Sequence, residues 1–408
     1  MMRFDIHFRR DVVDKIKDVV SDIHDWNDDD STSASEIEEL RDYVQIFEHC
    51  PRPDRPFQIG GADGSGDFPC VRYGDSVVYL VTAMARLYGA TAAGTLTERK
   101  TTNCDIVDFL WLPEDKMKAK YQYRKFFAQL IGAPLEDICQ ESDYYQLTKA
   151  HGGGVPSPVD LIETLILPPS HEANNIGIQL LSTAEAGSLI RLMQSLDASN
   201  AETEPIYILE DTTLALPMVS SKSTLFFEIA KRYACKVARE KGITYMTVSK
   251  SHNMPHMDLI EDMVKEMNPS GEHWFLRIPC KQIGEPKPAL LGTRGIPPAG
   301  AVSYIFKLHR TTQPMRLDMD FNFWRDHIWS EDKERMRSRE QQLFRDLDFA
   351  SHDQRCYGYP YPIKACHDLA SLTDDERIAL RKQIINEAVK AGLKRKNFVD
   401  PSIQTGHA

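Results

Sequence analysis

The residues with the clearest chemical potential are carboxylates that stand beside small residues at the ends of apolar runs. Gly60-Gly61-Ala62-Asp63-Gly64-Ser65-Gly66-Asp67 follows the apolar stretch that begins at Phe57. Glycines flanking a carboxylate allow close approach of a ligand, and they equally suit an Asp-Gly hairpin turn. No Gly-Lys-Ser/Thr follows, so a phosphate-binding P-loop is excluded. Glu210-Asp211-Thr212-Thr213 closes a second apolar run, Pro205 to Glu210. Strand C-termini are where α/β sheets place chemistry, although Asp211 would also serve as a helix cap. Glu185 lies near the start of a helical pattern, where pairing with the helix dipole is its plain alternative role. Carboxylate oxygens with water are the preferred ligands of Mg²⁺ and Mn²⁺, and Asp63, Glu185 and Asp211 would suit one or two such ions. Two ions about 3.5–4 Å apart clamp the attacking and leaving oxygens of phosphodiester hydrolysis.

Three further residues join this set. In Tyr357-Gly358-Tyr359-Pro360-Tyr361-Pro362, Pro362 suits the first position of a helix that carries His367. Tyr359 and His367 could then converge, the histidine as metal ligand or general acid/base. Lys250 follows the apolar run Ile243 to Val248 and could neutralise a phosphate. His252 and His256 are four apart but span Pro255, and no HExxH is present, so zinc-protease chemistry is discounted.

Two segments are basic. Lys116 to Lys125 contains Lys116, Lys118, Lys120, Arg124 and Lys125 with Tyr121 and Tyr123 interleaved, and Phe126 and Phe127 follow. Cations with aromatics suit backbone contact and base stacking on a single strand. Arg381 to Lys396 is the second. Either segment could instead be a solvated helix face.

The elements that must hold these residues follow from periodicity. Helical spacing appears in residues 4–24, and Ser35 with Glu38 resembles a capping box opening a helix from Glu36 to Phe47. Pro51, Pro53 and Pro56 mark a boundary. Strands are expected at Phe57–Ala62, Phe68–Tyr73 and Ser76–Leu87, forming an antiparallel meander. Residues 95–175 read as an insertion or lid, with a helix at Lys116–Ile131 and a Gly/Pro-rich loop at 151–158. Helix at Leu180–Leu196, strand at Pro205–Glu210, helix at Ser221–Lys241 and strand at Ile243–Val248 follow. Further strands are expected at Trp274–Ile278, Val302–Leu308 and Met315–Asp320, with a helical C-terminus from Pro362. A meander followed by helix, strand, helix, strand implies an α/β, RNase H-like mixed sheet. The expected organisation is a helical region at 1–55, an α/β core at 56–330 with the insertion at about 95–175, and a helical region at 331–408 that carries Tyr359 and His367.

Composition narrows the function classes. The 408 residues are 42% hydrophobic and 27% charged, values of a folded globular chain. No uncharged run reaches the roughly 18 residues of a membrane span. The charged N-terminus argues against a signal peptide, so a soluble, cytoplasmic protein is expected. None of the eight cysteines is spaced CxxC, which reads as free thiols rather than a cysteine zinc site. Net charge is -11, so any contact with nucleic acid must come from a local basic channel.

In order and spacing these motifs resemble the NurA family of nucleases. The resemblance rests on Asp63-Gly64-Ser65, Glu185, the strand ending at Asp211, Ser249-Lys250, and Gly358-Tyr359-Pro360-Tyr361-Pro362 with His367. It covers about residues 56–395, with 95–175 poorly aligned. It implies an RNase H-like core, a homodimer, and Mn²⁺-dependent (or Mg²⁺-dependent) cleavage of single-stranded DNA. It also implies 5′-to-3′ exonuclease and endonuclease activity at DNA ends with a HerA-type hexameric translocase. Metal ligands would be Asp63, Glu185 (with Glu202 and Glu204, also upstream of the strand ending at Asp211, as alternatives), Asp211 and His367, with Tyr359 orienting the site and Lys250 on the scissile phosphate. The family's second aspartate usually sits in an Asp-Gly-Ser-like turn. Here the run is Glu210-Asp211-Thr212-Thr213, so Glu210 is an alternative to Asp211. The rival expectations are a non-catalytic DNA clamp or helicase-partner subunit on the same fold, and a nuclease of a defence system.

Overall fold

The computed structural model describes residues 12–21, 37–49, 51–91, 93–101, 103–150, 162, 173–197, 203–214, 226–252, 254–288, 291 and 296–399. Residues 12–21 form α1. The helix expected up to Phe47 is replaced by a short turn and strand β1 (Val44–Ile46), whose Val44 and Gln45 are buried. The Gly/Pro-rich loop at 151–158 lies outside the described residues.

The two strands expected at 57–62 and 68–73 are one, β2 (Phe57–Tyr73). It pairs antiparallel with β3 (Ser76–Thr91) almost throughout, with a register shift between Asp67 and Val71. The glycine-rich segment is therefore the middle of a strand and not a hairpin turn. Space explains its glycines. A Cβ on Gly61 would lie 2.9 Å from the Ile363 nitrogen on one face, and one on Gly64 would lie 2.6 Å from Leu181 on the other. Neither approach leaves room for a side chain.

The region expected as an insertion supplies core. β4 (Thr95–Arg99) and β5 (Ile106–Leu112) both pair with β3. α2 (Lys116–Ile131), α3 (Leu135–Glu141) and α4 (Tyr144–Ala150) follow. α5 (Ala173–Ser195) then crosses the sheet to β6 (Ile206–Glu210), which pairs parallel with β2. α6 (Phe226–Lys241) leads to β7 (Thr244–Ser249), parallel to β6. A parallel neighbour needs such a crossover, and α5 and α6 are those helices.

The chain continues through α7 (Met257–Met267), β8 (Trp274–Arg277), β9 (Ala301–Lys307) and β10 (Met315–Asp320). These strands extend the sheet antiparallel beyond β7, and β1 closes that edge on β8. α8 (Phe321–His327), α9 (Lys333–Ser351), α10 (Tyr361–Ala370) and α11 (Asp374–Lys390) complete the helices. β11 (Phe398–Val399) returns to pair with the end of β2.

Strand order in the first half is β4/β5–β3–β2–β6–β7, three antiparallel strands followed by two parallel to the first. That is an RNase H-like α/β arrangement. Side chains alternate between two cores. Ile206 and Ile208 pack with α2, α5 and α6, whereas Tyr207 and Leu209 pack with α8, α9 and α10. No helix among the described residues is long and apolar enough to cross a membrane.

Candidate active site

The site forms where β6 stops and β2 continues. The last β2–β6 pair is Ala62 with Glu210, so Asp63 and Gly64 pass beyond the end of the neighbouring strand. The Gly64 N–H donates to Asp63 Oδ1 at 2.7 Å and to Glu185 Oε1 at 3.0 Å. One amide thus gathers a carboxylate from β2 and one from α5. A side chain at position 64 would meet Glu185 Oε1 at 3.1 Å, so the glycine also makes room for that carboxylate.

α10 closes the other face. Its N-terminus lies directly on Gly61, and the Cys366 thiol donates to the Gly61 carbonyl at 3.1 Å. This seating brings His367 Nδ1 to 2.8 Å from Asp63 Oδ2. The residues just before the helix bring in Tyr359, whose hydroxyl donates to Asp211 Oδ2 at 2.9 Å. Lys250, leaving β7, donates to the same oxygen at 3.3 Å and lies 4.1 Å from the centre of the Tyr359 ring. Its side chain is 63% exposed, so the ammonium can meet a ligand from solvent. The six residues singled out in the sequence, Asp63, Glu185, Asp211, Lys250, Tyr359 and His367, therefore share one place. Asp63 does not end its strand, as the sequence suggested; it occupies the strand's middle, and only β6 ends there.

Burial and like charge dominate the electrostatics. Burial pushes the Asp63 carboxyl up, against the pull of the Gly64 amide and His367, and Asp211 adds to the rise. Glu185 is raised well above the usual carboxylate range by burial and then by Asp63, Glu210 and Asp211. Burial keeps the Tyr359 hydroxyl protonated far above its ordinary range, and Asp211 reinforces this. Burial and mutual repulsion thus favour protonation of these carboxyls, and a bound cation would favour their ionised form.

Glu210 and Asp211 divide their roles. Glu210 is buried, accepts a short hydrogen bond from Tyr245 and is pushed up to about 7, chiefly by burial. Its Oε1 has no hydrogen-bond partner. Asp211, partly exposed, faces Tyr359 and Lys250. The sequence reading missed Tyr245; a tyrosine in the apolar run Ile243 to Val248 was the available signal.

The donor set fits a hard divalent cation. It consists of carboxylate oxygens and one imidazole, with carboxylate charge that Lys250 at Asp211 and Lys231 near Glu210 offset only in part. Ligand atoms of Asp63, Glu185, Glu210, Asp211 and His367 do not form a group of three within 4.8 Å of one another. An ion here would be held by one or two carboxylates with water completing its shell, which is how Mg²⁺ is usually bound.

The first basic segment is only partly a surface. On α2, Ala119, Tyr123, Phe126, Phe127, Leu130 and Ile131 form a buried stripe at helical spacing. The Tyr123 hydroxyl donates to Gln179 at 2.6 Å, and Phe127 stacks on Phe226 at 4.6 Å. Tyr123, Phe126 and Phe127 are therefore core residues and not stacking platforms. Lys116, Lys118, Tyr121 and Lys125 are exposed, and Lys120 and Arg124 are partly buried. α2 packs against α5, the helix that carries Glu185. In the second segment Arg381 is committed to Asp67, with both guanidinium contacts at 2.6 Å.

No protein-family model and no curated protein matches this sequence. Among solved structures, the chain is similar to the NurA nuclease from Sulfolobus solfataricus, 11% identical over 96% of this chain and 98% of that one, with a TM-score of 0.42. It is also similar to NurA bound to dAMP and manganese, 11% identical over 95% and 98% of the two chains, with a TM-score of 0.38. A third similarity is to Ciona intestinalis endonuclease V in complex with inosine-containing DNA, 13% identical over 89% and 99%, with a TM-score of 0.31.

Proposed function

We propose that this chain is a divalent-metal-dependent deoxyribonuclease of NurA type. The observation that carries the reading is the junction at Gly64. Its amide gathers Asp63 and Glu185 at the end of β6, where Asp211, Tyr359, Lys250 and His367 also converge. A bound Mn²⁺ or Mg²⁺ would supply an activated water and polarise the phosphate. Asp63, Glu185 and Asp211 would share it, one or two of them directly and the rest through bound water, with His367 as a further such ligand or as a proton carrier beside Asp63. Tyr359, protonated and bonded to Asp211, would fix that carboxylate's orientation. Lys250 would meet the phosphate from the solvent side.

The finer reading follows the resemblance. The substrate is single-stranded DNA and DNA ends, cut by 5′-to-3′ exonuclease and endonuclease action. The protein acts in the cytoplasm as a homodimer with a HerA-type translocase in end resection. The exposed cations of α2 contribute to the DNA path.

The test is cleavage of labelled single-stranded DNA with Mn²⁺ and with EDTA, for the native protein and for Asp63→Asn. Native protein should cut only with metal. Asp63→Asn should lose about 10³-fold in rate, the scale at which one preorganised electrostatic group acts, while binding DNA as well or better. Binding without cleavage by the native protein in either condition would favour the non-catalytic clamp.

A further inference from the structure

A second cluster of metal-ligating side chains stands apart from the carboxylate site. His49 follows β1, His273 precedes β8, and Asp348 and His352 lie one helical turn apart at the end of α9. Asp348 is 1% exposed. His49 Nδ1 is 2.8 Å from Asp348 Oδ2, and the rings of His49 and His352 are 3.9 Å apart. Among the described residues, His49, Asp348 and His352 are the group whose ligand atoms all lie within 4.8 Å of one another. His273 adds a fourth donor. Its Nε2 is buried, makes no hydrogen bond and lies 3.5 Å from Asp348 Oδ1.

We propose that these residues form a transition-metal site, of the zinc type, distinct from the carboxylate site. Two imidazoles in ring contact would repel each other if both were protonated. As neutral ligands they can instead share a cation, and Zn²⁺ takes imidazole nitrogen and carboxylate oxygen in tetrahedral sites. Ligands about 2.0–2.1 Å from a tetrahedral ion stand about 3.3 Å apart, so the set must contract. His352, exposed at the helix end, is the residue free to move inward. His273 Nε2 or a water completes the fourth position. The two sites differ in kind: nitrogen-rich donors select zinc-like ions, whereas oxygen donors suit Mg²⁺ and Mn²⁺.

The position gives the site a structural role. It ties β1 and the start of β8 to the C-terminal end of α9. The chain from His352 to Tyr359 is held as a short loop by the Gly358 N–H, which donates to the Ser351 carbonyl at 2.7 Å. A metal at His352 would brace the loop that delivers Tyr359 to Asp211.

The test uses the full chain without a histidine tag, titrated with Co²⁺ as a spectroscopic probe and with Zn²⁺ in equilibrium dialysis. One equivalent of Co²⁺ should give visible bands of a four-coordinate ion, displaced by Zn²⁺. His352→Ala and His49→Ala should abolish the bands and weaken Zn²⁺ binding about 100-fold, while Asp63→Asn leaves both intact. Circular dichroism of the exposed-site variant His352→Ala checks that the fold is kept. Absence of the bands in native protein, or bands lost in Asp63→Asn and kept in His352→Ala, would overturn the proposal. Because Asp63→Asn affects cleavage and His352→Ala affects zinc, the two readings fail independently.

Discussion

Two regions of this molecule bury several carboxylates, and they treat them oppositely. Around Arg232 on α6, Asp143 receives the guanidinium bidentately at 2.7 Å for both contacts, and Asp320 receives the same group at 2.5 Å. Arg239 adds a bond to Asp320 at 2.7 Å. Burial pushes the Asp143 carboxyl up, but Arg232, by charge and hydrogen bond, and Arg239 outweigh it and hold it below its usual range. Around Gly64, burial and then neighbouring carboxylates raise Asp63 and Glu185, and the Gly64 amide, with His367 at Asp63, does not offset this as the guanidinium groups do. The first region is an electrostatically closed structural clamp joining α6, β10 and the α3–α4 turn. The second is less fully neutralised, and that imbalance is what the proposed metal-dependent reading rests on.

The largest effect should come from breaking the closed region. Arg232→Met leaves buried Asp320 and half-buried Asp143 with Arg239 alone, and removing one partner of a buried ion pair costs about 3–5 kcal/mol in comparable cases. Urea unfolding of the metal-free protein measures it. A loss under about 1 kcal/mol would show that the clamp is not what holds these elements together.

The open region should respond with the opposite sign. Glu185→Gln removes a buried charge and keeps an acceptor for the Gly64 amide. It should stabilise the metal-free protein by about 1 kcal/mol while abolishing metal-dependent cleavage. The same imbalance sets the pH dependence. Asp63, Glu185 and Glu210 have raised folded-state pKa values, Glu210 at about 7. The stability they contribute is fully present below the ordinary carboxylate range and is lost as pH rises through the raised values. Metal-free native protein should therefore melt lower above pH 7 than near pH 5, and Mn²⁺ should restore more at the higher pH. Thermal melts with and without Mn²⁺ check this, and a metal-free protein more stable at alkaline pH would contradict the comparison.

The smallest effect concerns the approach to the site. Replacing Lys116, Lys118 and Lys125 of α2 with Ala should weaken single-strand binding and flatten its salt dependence by up to about 0.7 in slope per lost phosphate contact. The chemical step on bound DNA should stay unchanged, since these side chains are not near the carboxylates' hydrogen bonds. Titration with labelled oligonucleotide at several salt concentrations reads the slope. An unchanged slope would move attention to the exposed cations of α11 and the residues after it.

Much of this was legible in the chain itself. Apolar runs bounded by polar residues locate β6, β7 and β10 to within a residue, because buried strands and helices leave distinct periods in sequence. The helix at Lys116–Ile131 also matches the sequence pattern; Tyr121 is exposed, whereas Tyr123, Phe126 and Phe127 belong to the core. Ala119, Tyr123, Phe126 and Phe127 stand at helical intervals, and that spacing marks a core stripe more directly than composition marks a binding surface. Asp63, Glu185, Asp211, Lys250, Tyr359 and His367 were also singled out by type and order, and the fold brings these side chains to one place.

Tertiary structure alone decided the rest. The glycines around Asp63 suggest a turn locally, yet they are there because α10 and α5 press on one strand from both faces. The early end of β6 frees the Gly64 amide to join Asp63 with Glu185, two residues 122 positions apart in sequence. His49, His273, Asp348 and His352 have no motif among them, and only the packing of α9 against β1 and β8 brings them together. Local sequence encodes period and residue chemistry because those depend on near neighbours. Which charges meet, and whether they are neutralised, depends on contacts between distant segments, and these exist only in the folded chain.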